Sequence, residues 1–240
     1  NNNQKNFFLE NIEIQNSLLK LALKKKIKRT IFLGTSCIYP KFAKTPIKEE
    51  SLLTGKLEKT NQCYAIAKIS GIKLCESLYE DFDLDIICLM PTNVYGENDK
   101  FDELNGHVIP AMIAKFETAK KYKKKIVKLL GTGKPLREFI HSNDLASAIY
   151  FCLRIKKDSL KKLFKSSLPI INVGTKDEIS IKKLSKLIAD YTGYKGRVIF
   201  NRSFPDGTFR KNLDSSKMKK LGWKPKINFK RGLKKLINSR

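Results

Sequence analysis

The hydrophobic pattern alternates between short apolar runs and longer segments with helical spacing. Apolar runs rich in β-formers lie at residues 30–33 (Thr-Ile-Phe-Leu) and 85–90 (Asp-Ile-Ile-Cys-Leu-Met). Runs of this length without polar alternation are typical of strands buried on both faces. Residues 61–82, between them, carry apolar positions three and four apart, which predicts a long helix. The alternation predicts an α/β fold with a parallel, doubly wound sheet.

The same criteria predict further elements along the chain. Helices are expected within residues 1–26, from Val108, from Ser142 or Asn143, over Ser180–Tyr191 and up to Asn238. Strands are expected at Ile126–Leu130, Phe139–His141, Ile170–Val173 and Val198–Phe200. Residues 156–167 are so rich in lysine that we interpret them as a connection. No internal repeat is visible.

Composition limits the classes of function. The 240 residues carry a formal net charge of +26, mostly from lysines scattered along the chain. Without a nucleic-acid motif or an aromatic stripe, this charge favours a solvated surface that attracts anionic small molecules over a nucleic-acid site. No apolar run is long enough to cross a bilayer. Five cysteines without CxxC spacing suggest neither disulfides nor a metal site, and we expect a cytoplasmic protein.

Candidate chemistry follows the first apolar run. Thr35 and Cys37 come directly after it, where open α/β sheets place their ligand crevice. Tyr64 and Lys68 are four apart on the predicted helix and therefore share one face. An ammonium beside a phenol favours the phenolate, which predicts a group for acid–base chemistry near neutral pH. Alone, each of these residues has a simpler interpretation, as a chance surface pair or a buried thiol.

Six motifs in order carry a family resemblance. They are Thr35–Pro40, Tyr64–Lys68, Pro91–Gly96, His107–Pro110, Arg137–His141 and Pro205–Thr208. With them the chain, from about Phe7 to its end, resembles the extended short-chain dehydrogenase/reductase family. Within that family it is similar to the branch that converts GDP-4-keto-6-deoxy-D-mannose to GDP-L-fucose with NADPH, by 3,5-epimerisation and 4-reduction. The resemblance implies an NADP-dependent enzyme acting on a nucleotide sugar, and a homodimer when complete.

The resemblance also implies roles for the catalytic residues. Tyr64 would protonate the forming alkoxide, Lys68 would tune that phenol and contact the cofactor, and Thr35 stands where the family usually has Ser. Cys37 and His107 match the pair that moves the protons at C3 and C5 of the sugar. A thiolate and an imidazole are suitable bases near neutral pH. His141 is interpreted as structural, and the other cysteines as core residues.

Further residues match family positions for ligand binding. Asn93 and His107, like Tyr64 and Lys68, are expected near the cofactor. The substrate would be held by Lys115, Leu130, Arg137 and Lys211. Lys115 stands where the family commonly has Arg, and a lysine lacks the bidentate fork of arginine. Leu130 stands where the family often has Trp. No metal is implied.

A dinucleotide fold should open with a strand, a Gly-rich turn and a helix that hold the pyrophosphate, and these 240 residues contain no such motif. We therefore expect that roughly 80 residues of that domain are missing. The chain alone should then bind NADPH poorly, and Thr30–Leu33 should form an exposed sheet edge.

Residues 1–97 are expected to form the remainder of an incomplete Rossmann-type domain, and residues 98–240 mainly a smaller C-terminal α/β substrate domain. Some segments of the second part could return to the first. Two alternatives stay open: another nucleotide-sugar epimerase or dehydratase, or a catalytically silent basic fragment.

Overall fold

The computed structural model describes residues 4–104 and 106–240. Its helices are α1 (Gln4–Lys24), α2 (Gln62–Phe82), α3 (Val108–Lys121), α4 (Ser142–Arg154), α5 (Lys157–Phe164), α6 (Ile181–Thr192), α7 (Ser216–Lys220) and α8 (Phe229–Asn238). Its strands are β1 (Thr30–Leu33), β2 (Ile86–Pro91), β3 (Asn93–Tyr95), β4 (Ile126–Leu130), β5 (Leu136–His141), β6 (Ile170–Val173), β7 (Glu178–Ser180), β8 (Arg197–Asn201) and β9 (Arg210–Lys211). Short 3-10 helices lie at Ser36–Ile38, Glu49–Ser51 and Lys59–Asn61.

The chain divides into two compact units. The first unit contains the described part of Asn1–Thr92 together with Leu145–Lys176 and Asn212–Pro225. The second unit contains the described part of Asn93–Asp144 together with Asp177–Lys211 and Lys226–Arg240. Each unit is therefore assembled from segments distant in sequence, and the assignment of a cofactor domain and a substrate domain stays a prediction.

The first unit contains a parallel sheet in the order β1-β2-β6. Phe32 is aligned with Cys88, and Cys88 with Ile170. The residues Ile86 to Met90 of β2 are fully buried, because this central strand has neighbours on both sides. The α/β class and the parallel sheet are confirmed.

Strand β1 lies at the edge of this sheet and pairs only with β2 among the described residues. Phe32 is buried, but Leu33 is 41% exposed and Thr30 and Ile31 are half-buried. The predicted exposed edge is confirmed, whereas burial of this strand on both faces is wrong. An edge strand lacks a neighbour on one side, and its apolar residues are therefore less covered than those of a central strand.

Helices α1 and α2 pack closely beside the sheet, and a glycine permits their approach. A Cβ atom added to Gly71 of α2 would lie 2.5 Å from both Gln15 of α1 and Phe32 of β1. Gln15 also donates a hydrogen bond of 2.9 Å to the Ala67 carbonyl. Any larger residue at position 71 would push these elements apart.

Residues 156–167 are not a plain connection, because they contain helix α5. Leu160 and Phe164 lie four residues apart, and both are buried, so they form one apolar face of this short helix. Its lysines lie outside this face, with Lys161 and Lys162 exposed and Lys157 half-buried. The prediction of a connection was wrong because the lysine content hid this apolar pair.

The second unit contains two small sheets. Strands β3, β5 and β7 form one, with β9 also paired to β5, and β4 and β8 form the other as a parallel pair. Its core joins α3, α6 and α8 through buried residues such as Ile113, Phe116, Ile188 and Leu233. Strands β3, β7 and β9 were not predicted, because two or three residues carry too little alternation to be recognised.

Candidate active site

The turn after β1 is shaped by Thr35. This residue caps the 3-10 helix Ser36–Ile38, and its side-chain oxygen accepts a hydrogen bond of 3.2 Å from the Cys37 backbone. Thr35 and Cys37 are half-buried, while Ser36 is buried between them. The cap therefore fixes the backbone that carries the Cys37 thiol at the end of the strand.

Tyr64 of α2 joins the same cluster. Burial raises the pKa of the Tyr64 phenol, the neighbouring Cys37 sulfur raises it further, and a hydrogen bond with the Thr35 side chain lowers it. These interactions place the Thr35 hydroxyl, the Cys37 sulfur and the Tyr64 phenol together in the first unit. A phenol is protonated at neutral pH with or without this shift, so Tyr64 can act as a proton donor.

Lys68 lies one helical turn beyond Tyr64, as the spacing predicted. Its ammonium lies 5.9 Å from the Tyr64 ring centroid and 5.4 Å from the Phe32 ring centroid. Burial lowers the pKa of Lys68. Burial, the Cys37 sulfur and the Thr35 hydrogen bond are the causes of the shift in the pKa of Tyr64, and tuning of the phenol by Lys68 stays a prediction.

Asn61 is a member of the cluster that the sequence did not reveal. Its side-chain nitrogen donates a hydrogen bond of 3.2 Å to the Cys37 sulfur, across 24 residues of sequence. Its side-chain oxygen is buried and has no hydrogen-bond partner among the described residues. Asn61 lies at the end of a 3-10 helix, three residues before Tyr64, and the sequence carries no signal for its contact with Cys37.

A buried polar network anchors the segment after Cys37. The Tyr39 hydroxyl donates to the Asn172 side-chain oxygen at 2.6 Å, and the Asn172 backbone donates to Glu49 at 2.9 Å. Glu49 also pairs with Lys217 at 3.2 Å. Burial raises the pKa of the Glu49 carboxyl, and the bonds from Asn172 and Lys217 oppose that rise. The loop that carries Cys37 is thereby tied to β6 of the sheet.

Asn93 and His107 belong to the second unit. Asn93 is half-buried in β3 and donates a hydrogen bond of 2.8 Å to the Glu138 carbonyl. His107 precedes α3, its side chain is 83% exposed, and its Nδ1 lies 3.4 Å from Asp99 Oδ1. Among the predicted residues, His107 is thus the most accessible for exchange of protons with a ligand.

Arg137 and Lys211 are brought side by side by strand pairing. They are aligned residues of the parallel pair β5 and β9, so their Cα atoms are about 4.8 Å apart. Burial lowers the pKa of Arg137, which Asp206 partly offsets. Two adjacent cations on neighbouring strands form a site suited to a phosphate-bearing ligand.

Asp206 shapes the turn next to these cations. Its carboxylate accepts hydrogen bonds from the Thr132 backbone at 2.9 Å and from the Thr132 hydroxyl at 2.5 Å. These bonds lower the pKa of Asp206. Gly131 has a positive φ of 79°, and a Cβ atom there would collide with Asp206, so this position requires glycine. Sequence reasoning did not single out Asp206.

Lys115 and Leu130 lie beside β4. The Lys115 ammonium donates a hydrogen bond of 3.1 Å to the Lys128 carbonyl, and Leu130 at the strand end is 62% exposed. Lys115 is therefore held at the strand by one contact and keeps donors for a ligand. Leu130 offers a small apolar surface directly before the turn that Asp206 closes.

The remaining predictions concern residues outside the cluster. His141 is buried and lies edge-on to Tyr95, consistent with a structural residue. Cys75, Cys88 and Cys152 are buried, whereas Cys63 is half-buried and not a core residue, because it lies in the first turn of α2. No helix in the described ranges has the length and apolar character to cross a membrane. Within these ranges no group of three or more His, Cys, Asp or Glu could hold a metal ion.

Comparison with known proteins shows which family and which relatives this chain is similar to. The sequence profile of the NAD dependent epimerase/dehydratase family matches residues 1–174. Probable GDP-L-fucose synthase 1 of Oryza sativa subsp. japonica is 45% identical over 228 residues, which is 95% of this chain and 67% of that protein. The chain spans about two thirds of the length of the curated relatives that it matches.

Two solved structures resemble this chain closely. A GDP-6-OMe-4-keto-L-xylo-heptose reductase from C. jejuni superposes with a TM-score of 0.89 at 35% identity, covering 98% of this chain and 76% of that one. A GDP-L-fucose synthetase from Naegleria fowleri bound to NADP superposes with a TM-score of 0.84 at 27% identity, covering 98% and 73%. The Rossmann-like fold is shared across these proteins.

Proposed function

We infer that this chain, which belongs to the NAD dependent epimerase/dehydratase family, acts as an NADP-dependent epimerase-reductase like its relatives named GDP-L-fucose synthase. From this membership we propose that it carries out the 3,5-epimerisation and 4-reduction of GDP-4-keto-6-deoxy-D-mannose to GDP-L-fucose. The observation that carries the proposal is the cluster of Thr35, Cys37 and Tyr64 at the end of β1. We also propose that the protein is located in the cytoplasm.

Reduction at C4 requires a proton donor next to the carbonyl. Tyr64 is that donor, since its phenol is protonated at neutral pH and lies beside Thr35 and Cys37. Thr35 holds the phenol by a hydrogen bond and offers its hydroxyl to the carbonyl oxygen as negative charge develops there. NADPH, when bound, supplies the hydride.

Epimerisation at C3 and C5 requires a base and an acid. Protons next to a ketone are acidic because the enolate places charge on oxygen, which the same hydroxyls can stabilise. Cys37 removes one of these protons, and its sulfur is held in place by the hydrogen bond from the Asn61 amide. His107, exposed on the second unit, returns a proton to carbon. Neither a 4-epimerase nor a dehydratase requires this pair.

The nucleotide diphosphate is bound by the cations of the second unit. Arg137 and Lys211 lie on aligned positions of neighbouring strands, and each can donate to a phosphate oxygen. Lys115 adds a third cation, and Leu130 packs against the base or sugar. The net charge of +26 increases the local concentration of such an anion.

The residues present fit one end of NADPH. The Lys68 ammonium is half-buried and makes no ion pair with a carboxylate of the described residues, so it can donate to the hydroxyls of the nicotinamide ribose. The family resemblance assigns Tyr64, Asn93 and His107 to cofactor binding as well. No Gly-rich strand–turn–helix motif occurs in the 240 residues, and we therefore expect activity to require such a segment.

A second candidate is reduction of another GDP-linked keto sugar. The reductase from C. jejuni, named for a heptose substrate, has the TM-score of 0.89 noted above. Thr35, Lys115 and Leu130 also depart from the residues usual in GDP-L-fucose synthases. Turnover of a GDP-linked keto-heptose without exchange of the protons at C3 and C5 would favour this candidate.

We also propose that the protein forms a homodimer. Helix α1 exposes large apolar side chains in the first unit, with Phe7 58%, Ile14 61% and Leu18 60% exposed. An exposed apolar face of this kind is typical of an interaction surface. Light scattering coupled to gel filtration tests this, and a monomer at micromolar concentration would contradict it.

The decisive experiment supplies the chain with a Gly-rich nucleotide-binding segment from a relative. That protein should oxidise NADPH with GDP-4-keto-6-deoxy-D-mannose and form GDP-L-fucose, and should incorporate solvent deuterium at C3 and C5. The 240-residue chain alone should bind NADPH weakly in calorimetry. Absence of turnover and of deuterium exchange with all GDP-keto sugars, together with salt-dependent retention of nucleic acid on a filter, would favour the basic binding fragment instead.

A further inference from the structure

His107 has a carboxylate partner that none of the motifs singled out. Its Nδ1 lies 3.4 Å from Asp99 Oδ1, and the Asp99 side chain is 18% exposed although the imidazole is 83% exposed. An ionised carboxylate can only accept hydrogen bonds. A hydrogen bond at this contact therefore requires the proton on His107 Nδ1, and in that tautomer the ring lone pair lies on Nε2.

The loop before α3 is built to keep Asp99 in place. Asp99 Oδ1 accepts a second hydrogen bond of 2.8 Å from the Lys100 backbone. The loop closes where the Gly106 backbone donates to the Asp102 carbonyl at 2.9 Å. A Cβ atom at Gly106 would lie 2.6 Å from that carbonyl and 2.7 Å from the Lys100 carbonyl, so this closure requires glycine. The closed loop brings position 99 beside position 107.

We propose that Asp99 is a positioning residue for His107, and this rests on the proposed function. Asp99 fixes the ring orientation and the Nδ1–H tautomer, which makes Nε2 the atom that exchanges protons with the sugar. In the protonated imidazole, Nε2–H gives its proton to the carbon of the enolate, which becomes the ketone. The ring then remains as the neutral Nδ1–H tautomer already bound to Asp99, so no second proton has to move.

The other histidine provides an internal comparison. The chain has two histidines, and His141 Nε2 lies 3.7 Å from Glu97 Oε2. Each imidazole therefore faces its own carboxylate, through a different ring nitrogen. Changes at Asp99 and at Glu97 should affect different histidine signals in one spectrum.

The test is the tautomer of His107 in the 240-residue chain, read by long-range ¹H–¹⁵N NMR at a pH of about 8, where free imidazole is neutral. The wild-type spectrum should show His107 with the proton on Nδ1. Asp99→Ala should move His107 toward the Nε2–H form and leave the His141 signals in place. The matched variant Glu97→Ala should change His141 alone.

Two results would overturn the proposal. One is a wild-type His107 with its proton on Nε2, a measurement that needs no variant. The other is an Asp99→Ala chain with native His141 signals and an unchanged His107 tautomer. Neither requires turnover, so they are independent of whether the proposed function holds.

An activity assay tests whether the His107 tautomer matters for the reaction. In the chain supplied with a Gly-rich segment, Asp99→Ala should lower the kcat of deuterium exchange at C3 or C5 about tenfold, with KM unchanged. The Glu97→Ala variant should exchange at the wild-type rate. Equal exchange rates in the two variants would remove Asp99 from the mechanism, whereas no exchange in any protein, wild type included, would contradict the proposed function.

Discussion

The two compact units hold their candidate residues in different ways. In the first unit Thr35, Cys37 and Tyr64 are half-buried and bonded to one another or to Asn61. In the second unit His107 and Leu130 are mostly exposed, and the cations are held by few contacts. The first arrangement suits proton transfer, which depends on fixed geometry, and the cations of the second unit suit the capture of a charged ligand from solution.

Substitutions in the two units should therefore affect different kinetic properties. A change in the first unit should abolish a chemical step and leave substrate affinity nearly intact. A change among the cations of the second unit should weaken substrate binding more than the chemical steps, because their contacts with a diphosphate would be similar in the ground state and the transition state. Enzyme assays below refer to the chain supplied with a Gly-rich segment.

The largest effect is expected for Tyr64→Phe. Removal of the phenol hydroxyl should lower the kcat of reduction by about 10²–10⁴-fold, because the alkoxide loses its proton donor. NADPH oxidation measures this. The control is Tyr79→Phe, a half-buried tyrosine on the same helix that is assigned no role. Reduction at a wild-type rate in Tyr64→Phe would exclude this residue as the donor.

Cys37→Ser should distinguish epimerisation, which we assign to the thiol, from reduction. We expect deuterium exchange at C3 and C5 to fall by about 10²-fold or more, because a serine hydroxyl is a far poorer base than a thiolate. Binding of NADPH should be unchanged. Mass spectrometry of the recovered sugar measures exchange, and Cys63→Ser is the matched control for a half-buried thiol. If exchange is undiminished in Cys37→Ser, the base is a residue other than Cys37.

Local spacing explains why much of the first unit could be predicted. The strand end, the helix and the four-residue step from Tyr64 to Lys68 all follow from periodicity. The position of the Lys68 ammonium did not, since it depends on side-chain conformation and on burial against Phe32. The contact between Asn61 and Cys37 was also missed, because sequence alone does not indicate which amide reaches a thiol 24 residues away.

The second unit was predicted less well, for a related reason. Strands β7 and β9 are very short and exist because β5 offers them backbone partners, so their own residues carry little signal. The neighbouring positions of Arg137 and Lys211 follow from that pairing alone. The contacts of Asp206 with Thr132 and of Asp99 with His107 likewise arise from loop closure.

A smaller effect is expected for Arg137→Lys. The charge stays, but the planar fork that can bind two phosphate oxygens is lost. The KM for the nucleotide sugar should rise by about 10-fold, with a smaller change in kcat. Steady-state kinetics measure both constants. Arg210→Lys on the paired strand is the control, because that arginine already binds Glu178 at 2.6 Å and is exposed. A change confined to kcat would contradict the assignment to binding.

The smallest effect is expected for Lys68→Met in thermal unfolding of the 240-residue chain. Burial lowers the pKa of Lys68 in the folded chain below its usual value of 10.5. Between the folded and the unfolded pKa the unfolded chain binds more protons, so the stability of the wild type rises with pH in that window. At neutral pH the charged ammonium is therefore a burden to folding, and Lys68→Met should raise Tm by about 1–3 °C. The gain should shrink as pH approaches 10.5.

An exposed lysine of the same helix serves as the reference for this variant. Lys73 pairs with Glu76 at 2.5 Å on the surface of α2, so Lys73→Met should give no gain at neutral pH. A Lys68→Met chain that is less stable than wild type at neutral pH, or whose advantage grows with pH, would contradict the burial of this ammonium. Since the same half-buried ammonium is the proposed contact for the nicotinamide ribose, stability gained by Lys68→Met should accompany a loss of activity.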